Sequence, residues 1–170
     1  IDGLTYGYSA EEGFVRGRDF LHPKLRFAFQ VPNGFRLLNS TQQVVARGPG
    51  ESLILFDMAG KDVRGDVLQY LTRQWAGNTQ LTEVERIDVN GMPAATGRVR
   101  LRTQQGLRDR RLVAIRYGPD RLYRFMFVTP PAQTAQLREA FQRTTYSFRR
   151  LSEAEAAALK PYRLQIHTVA

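Results

Sequence analysis

The sequence predicts an α+β fold, an antiparallel β-sheet with helices packed on it, and three of its features carry that prediction. Short runs alternate apolar and polar residues at the period of a half-buried strand. Turn residues separate those runs at hairpin spacing, as at Asn90-Gly91. Helical periodicity is confined to segments that follow blocks of strands, an order that means α+β.

Residues 1–24 carry Gly3, Gly7, Gly13 and Gly17 with little periodicity and read as an extended N-terminal strap. Leu25 to Val31 alternates as a first strand, and Pro32-Asn33-Gly34 turns it. Phe35–Leu38, Gln43–Ala46 and Ser52–Phe56 follow as strands, the last two separated by Gly48-Pro49-Gly50. A helix is expected over Asp62–Ala76. Val67, Leu68, Leu71 and Trp75 recur at helical spacing, Asp62 serves as N-cap, and Gly77-Asn78 stops it. Strands are then expected at Glu83–Val89, Ala94–Thr103, Arg110–Tyr117 and Leu122–Val128, joined at Asn90-Gly91 and, by a weaker signal, at Gln105-Gly106. Pro130-Pro131 breaks the chain before a second helix, Gln133–Thr144, whose apolar stripe is Leu137, Ala140 and Phe141. Ser152 and Glu155 form a capping box for a short alanine-rich helix ended by Pro161, and Leu164–Val169 reads as extended. No internal repeat of 20–50 residues and no low-complexity tract interrupts this order.

Composition limits the chemistry. The 170 residues are enough for one ordinary domain with its own core. No stretch reaches the roughly 18 consecutive apolar residues of a membrane-spanning helix. Because the first residue is Ile1 and no basic-plus-apolar leader precedes it, the chain is expected to be a piece of a longer or processed protein. Cysteine is absent, which excludes thiolate catalysis, cysteine zinc sites and disulfides. The net charge of +9 is carried almost wholly by arginine, lysine standing only at positions 24, 61 and 160. Such a surplus points to acidic protein, anionic lipid or nucleic acid partners, or to an arginine-biased coding usage.

Catalytic groups are scarce. Only His22 and His167 are available, neither within an H-E-x-x-H pair, so no metal ligand set and no cofactor site is expected in this chain. His22 precedes Pro23 and reads as a structural histidine bonded to backbone. No G-x-S-x-G, G-x-x-x-x-G-K-[ST] or G-x-G-x-x-G motif occurs, and no catalytic residue is assigned.

Arginines concentrate on one hairpin. Arg98, Arg100 and Arg102 alternate along one strand and so share a face, and Arg108, Arg110, Arg111 and Arg116 follow on the next. A turn at Gln105-Gly106 would set Arg102 opposite Asp109 and Arg100 opposite Arg111. A one-residue slip would oppose Arg102 to Arg108 and Arg100 to Arg110, two like-charge pairs, so the first register is favoured. Arg98, Arg100, Arg102, Arg110 and Arg111 are the anion-binding candidates, for a phosphate, an acidic peptide or an anionic head group. The alternative reading is a solvated polar face. Aromatic residues do not interleave with these arginines, so a nucleic acid partner is not expected.

A family resemblance appears in ordered, dispersed residues. They are Asp2-Gly3-Leu4-x-Tyr6-Gly7, then Gly13-Phe14-Val15-Arg16-Gly17-Arg18-x-Phe20-Leu21-His22-Pro23, Val31-Pro32-x-Gly34-Phe35 and Leu38-Asn39. Further along come Arg111-Leu112-Val113-Ala114-Ile115-Arg116, Tyr123-Arg124-Phe125 and Leu151-Ser152-x-Ala154-Glu155. Together they resemble the C-terminal, non-catalytic region of bacterial secreted zinc metallopeptidases related to the CAAX prenyl endopeptidases, some of which carry tetratricopeptide repeats.

That resemblance implies a parent enzyme whose zinc and H-E-x-x-H helix lie before Ile1. It also implies a periplasmic or cell-envelope location, and as partners the upstream peptidase domain and a protein or peptidoglycan-associated surface. Residues 1–24 would then be the connector, with Arg16, Arg18, Asp19 and His22 docking one body on the other. Residues 25–150 would be the accessory domain, and residues 151–170 a short helix and linker. Ile166 to Ala170 resembles the opening of a LysM-type repeat. The order of four strands, helix, four strands and helix is similar to PsbP-like α/β/α sandwich domains, in which a strand ending in Leu-Tyr, here Leu122-Tyr123, precedes a helix and a Ser-Phe, here Ser147-Phe148.

Overall fold

The computed structural model describes residues 13–40, 42–60 and 62–159. Among the described residues, two antiparallel sheets, three helices and a 3-10 turn at Pro49–Glu51 make up the α+β fold. The larger sheet has seven strands: β4 (Arg36–Asn39), β5 (Val44–Arg47), β6 (Leu53–Met58), β7 (Thr82–Val89), β8 (Met92–Thr103), β9 (Gly106–Gly118) and β10 (Arg121–Thr129). Their spatial order is β4-β5-β6-β10-β9-β8-β7. The smaller sheet runs β1-β2-β3-β11, from β1 (Phe14–Arg16), β2 (Asp19–His22), β3 (Phe27–Gln30) and β11 (Arg149–Arg150).

Residues 13–24 are therefore not an extended connector. Gly17, at φ +61, turns β1 into β2, and β2 pairs with β3 along its whole length. A boundary near residue 24 would cut through this sheet. His22 is fully buried, its ring stacked on Phe27 at 5.2 Å and its Nδ1 accepting the Leu25 amide at 3.1 Å. It is a core residue and has no surface with which to dock another body. Arg18 donates to the Val31 carbonyl and Asp19 accepts from Gln30 Nε2, so these two also bind their own sheet. Arg16 lies over the Phe14 ring.

Parity divides the large sheet into two faces. Ile54, Phe56, Ala94, Val113, Ile115, Tyr123, Phe125 and Phe127 meet Phe20, Phe27 and Phe29 of the small sheet, together with helix α2 (Pro131–Ser147). Rings here pack at centroid distances such as 4.6 Å for Phe29–Phe56 and 4.7 Å for Phe127–Phe141, the tilted and edge geometries that aromatic quadrupoles favour. The opposite face is covered over β8–β10 by helix α1 (Val67–Gln69), which widens into a π-helical stretch, Tyr70–Trp75. The last helix, α3 (153–159), seals the outer face of the small sheet around Leu21, Ala28 and Leu151.

Three local expectations shift. The N-cap of α1 is Asp66, not Asp62: its carboxylate accepts the Gln69 amide at 3.0 Å, and Gly65 at φ +99 keeps the preceding segment out of the helix. Pro130-Pro131 starts α2 rather than merely ending a strand, because Pro131 occupies the first turn, where no amide donor is needed. The single expected sheet is two. The Ser152–Glu155 capping box closes as expected, Ser152 N to Glu155 Oε1 at 2.9 Å and Glu155 N to Ser152 Oγ at 3.0 Å. The extended stretch at residues 164–169 and the LysM-like residues 166–170 lie outside the described residues, as do the matches at residues 2–7.

Candidate functional site

Helix α2 is tied to the sheet at both ends. At its N-terminal end Thr134 Oγ1 donates to Asp109 Oδ2 at 2.5 Å and meets Thr129 Oγ1 at 2.8 Å. Asp109, only 8% exposed, also takes two bonds from Arg100, Nε to Oδ1 at 2.7 Å and Nη2 to Oδ2 at 3.1 Å. The Arg100 guanidinium holds the Asp109 carboxyl below its ordinary range, and Thr134 adds to this against the opposing effect of burial. At the other end Asn90 Nδ2 donates to the carbonyls of Tyr146 and Phe148, at 3.0 and 2.7 Å. Asn90 and Gly91 take the positive φ values, +51 and +87, of the tight hairpin that their dipeptide predicts.

Between the two ties lies a cleft of about 120 Å³. Its floor is apolar, from Ile87, Val113, Phe127 and Phe141, and its rim is polar, from Glu83, Glu85, Arg98, Arg111, Arg138 and Tyr146. Floor and rim follow from strand alternation, since the α2 face of β9 carries Asp109, Arg111, Val113 and Ile115 in turn.

The five anion-binding candidates do not form one cluster. The hairpin turns at residues 104–105, so Thr103 pairs with Gly106, Arg100 with Asp109 and Arg98 with Arg111. This register lies two residues from the favoured one. A two-residue shift keeps every side chain on its face, so Arg100 still shares a face with Asp109 and Arg111 but each meets a different partner. The Thr103 hydroxyl sets the turn by accepting the Gln105 amide at 3.1 Å and donating to the Gly106 carbonyl at 2.8 Å. Arg110 lies on the opposite face, beside Val99 and Val128. Arg102 sits opposite Leu107 and is exposed.

Directly opposed arginines at 98 and 111 would destabilise the sheet. The residue that neutralises them is Glu83, which is not among the candidates the arginine stripe suggests. A bulge in β7 between Thr82 and Glu85 puts Glu83 at φ +53, and its carboxylate reaches Arg111 Nη2 at 2.9 Å and Arg98 Nε at 3.6 Å. The Arg111 hydrogen bond, then the charge of Arg98, lowers the pKa of Glu83, and Arg138 on α2 adds its field. A glutamate in an alternating strand carries no signal that it will be bulged toward arginines on the next two strands. Arg111 also donates to Thr96 Oγ1 at 3.2 Å.

The site holds carboxylates, guanidiniums and hydroxyls, and its own groups already neutralise most of its charge. Among the described residues no three His, Asp or Glu side chains converge to hold a metal ion. No helix is long and apolar enough to cross a membrane among the described residues.

No family model matches the sequence, and no curated protein matches it. Solved structures do match. The solution structure of CyanoP, the cyanobacterial PsbP of Synechocystis sp. PCC 6803, superposes with a TM-score of 0.55 at 15% identity, over 81% of this chain and 98% of CyanoP. The fold is PsbP-like. LpqN of Mycobacterium tuberculosis, involved in cell envelope biogenesis, aligns with a TM-score of 0.56 at 14% identity over 74% of this chain and 83% of its own. A crystal structure from Bacteroides thetaiotaomicron VPI-5482 aligns at 0.58 and 10% identity over 83% of this chain, which spans 51% of that one. At these identities the likeness is one of fold. In this PsbP-like chain, α2 lies over β10, β9 and β7, and the cleft is what remains between the two ties.

Proposed function

We propose that this PsbP-like chain is a binding domain that acts without covalent chemistry, with the cleft beneath α2 as its ligand site. The observation that carries the reading is the cleft itself, an apolar floor inside a rim of arginines and glutamates. A short peptide end suits it, with an apolar side chain on the floor and a carboxylate at the rim beside Arg138 and Arg98. The ion pairs of Arg98, Arg100 and Arg111 argue against a large polyanion such as nucleic acid, because those charges are already met within the fold.

The domain is read as an accessory, non-catalytic part of a longer secreted zinc metallopeptidase, positioning substrate or recruiting a partner at the cell envelope. The ordered residues that resemble the C-terminal region of those enzymes support this. The fold shared with LpqN, a protein of cell envelope biogenesis, is consistent with an envelope setting.

NMR titration with the tripeptide Ala-Ala-Phe tests the cleft. Amides of Arg98, Arg111, Arg138 and Tyr146 are expected to move, and the double variant Arg111→Gln, Arg138→Gln to weaken binding severalfold. Unmoved spectra at millimolar peptide would reject the site. The accessory reading fails if the isolated chain cleaves casein with added zinc in a chelator-sensitive manner. It also fails if the gene encodes no H-E-x-x-H helix ahead of this segment.

A further inference from the structure

We propose that the half of the large sheet left bare by α1 is a docking surface for an acidic amphipathic helix of a protein partner. Strand registers lay out a continuous apolar row across this face, Leu38–Val45–Leu55–Met126. Leu38 is 45% exposed, Val45, Leu55 and Met126 are only half-buried, and no described element lies over the row beyond Met126. The shallow groove beside it, about 570 Å³, is walled by Leu53, Val128, Arg47, Arg108 and Arg110, with Glu51 as its one carboxylate. An antiparallel sheet commonly turns one face to solvent, but with polar residues on it, so an exposed apolar row of this kind marks an interaction site.

The charges specify the partner. In the next row Arg36 stands directly opposite Arg47, the like-charge opposition that Glu83 relieves for Arg98 and Arg111. Here no carboxylate of the described residues forms an ion pair with either arginine, Glu51 being held by Arg108. At the far end of the same row Arg110 has its Nε buried with no hydrogen-bond partner, and only Arg108 is paired, with Glu51 at 2.7 Å. The surface is therefore an apolar strip with unmet cations at both ends, complementary to leucines flanked by carboxylates. Arg47 on β5 and Arg110 on β9 are three strand steps apart, about 14 Å. A helix rises that far in about nine residues, so the complementary carboxylates stand two to three turns apart.

The test is fluorescence anisotropy on the full chain. The probe is a labelled synthetic peptide of about four turns, with leucines on one face and glutamates at that spacing. A scrambled peptide of the same composition and phosphatidylglycerol vesicles complete the set. The amphipathic peptide is expected to bind at least tenfold tighter than the scrambled one and to weaken as salt rises. Leu38→Glu and Leu55→Glu should each lower affinity at least tenfold, and Arg47→Gln and Arg110→Gln severalfold. Leu38 is on the exposed edge strand, so its variant keeps the test open if Leu55→Glu does not fold. Arg111→Gln with Arg138→Gln, which weakens tripeptide binding in the α2 cleft, should leave the affinity for the amphipathic peptide as it is. Equal binding of the two peptides, binding of vesicles but not peptide, or loss of binding only in the α2-cleft variant would each overturn the proposal.

Discussion

The two faces of the seven-stranded sheet use the same strands and solve different problems. The face beneath α2 and the small sheet is packed with phenylalanine and tyrosine rings, whereas the face beneath α1 uses Ala95, Ala114, Leu112 and Leu122. Large rings need a deep layer above them, which two elements provide. Small residues let the short α1 segment approach closely, but it reaches over only part of the sheet. The difference shows that burial in this chain is decided less by how apolar a strand is than by what the topology sets over each face.

Neighbouring residues on β6 break or sustain that comparison most sharply. Phe56 is 1% exposed on the ring-packed face, and Leu55 is half-buried on the other. Phe56→Ala should cost about 3–5 kcal/mol in denaturant unfolding, and Leu55→Ala about 1 kcal/mol. Equal losses would mean that the second face is as well packed as the first.

Tyr123 sharpens it through pH. Burial lifts its phenol to about 12, against the hydrogen bond and the charge of Arg121. The folded chain thus retains a proton that the unfolded chain releases near pH 10, and stability falls as pH rises from about 10 towards 12. The loss should approach roughly 2–3 kcal/mol. Absorbance at 295 nm should show one of the seven tyrosines titrating last, and Tyr123→Phe should remove that part of the alkaline destabilisation.

Asp109 carries a smaller effect. Its folded pKa lies below the ordinary 3.8, so its contribution is complete at neutral pH and is lost as pH falls through the depressed value. Asp109→Asn should cost about 1–2 kcal/mol at pH 7 and flatten the acid limb of the stability profile. Smallest of all should be Glu83→Gln. It exposes Arg98 and Arg111 to each other, and the resulting fall in melting temperature should shrink as salt is added. A fall that salt leaves unchanged would mean that the bulge, rather than the charge, is what Glu83 supplies.

The sequence revealed local rules and hid distant ones. Alternation marked β8–β10, Asn90-Gly91 marked its hairpin, and Ser152 with Glu155 marked the start of α3, because each depends on residues a few positions apart. The β1–β2 hairpin was missed since its turn, Arg16-Gly17-Arg18, carries a single weak glycine signal, and its strands become stable only when β3 pairs with them. The register of β8 on β9 slipped by two because Thr103, not Gly106, decides where the turn closes. Within the site, the arginines were legible as a stripe. Their neutralisation by Glu83 and the tie from Asp109 to Thr134 join different strands and a helix, and no spacing in the sequence encodes such meetings.

The small sheet has a mechanical consequence. Its first strands and its last, β1–β2 and β11, come from opposite ends of the described chain and flank β3. At the β2–β3 turn the Arg26 carbonyl accepts both the Leu151 amide, at 3.0 Å, and the Tyr117 hydroxyl, at 2.6 Å. Tension pulling residue 13 away from residue 159 would enter this one sheet from both sides, so the buckle that fastens the molecule would also be the first part to feel the strain.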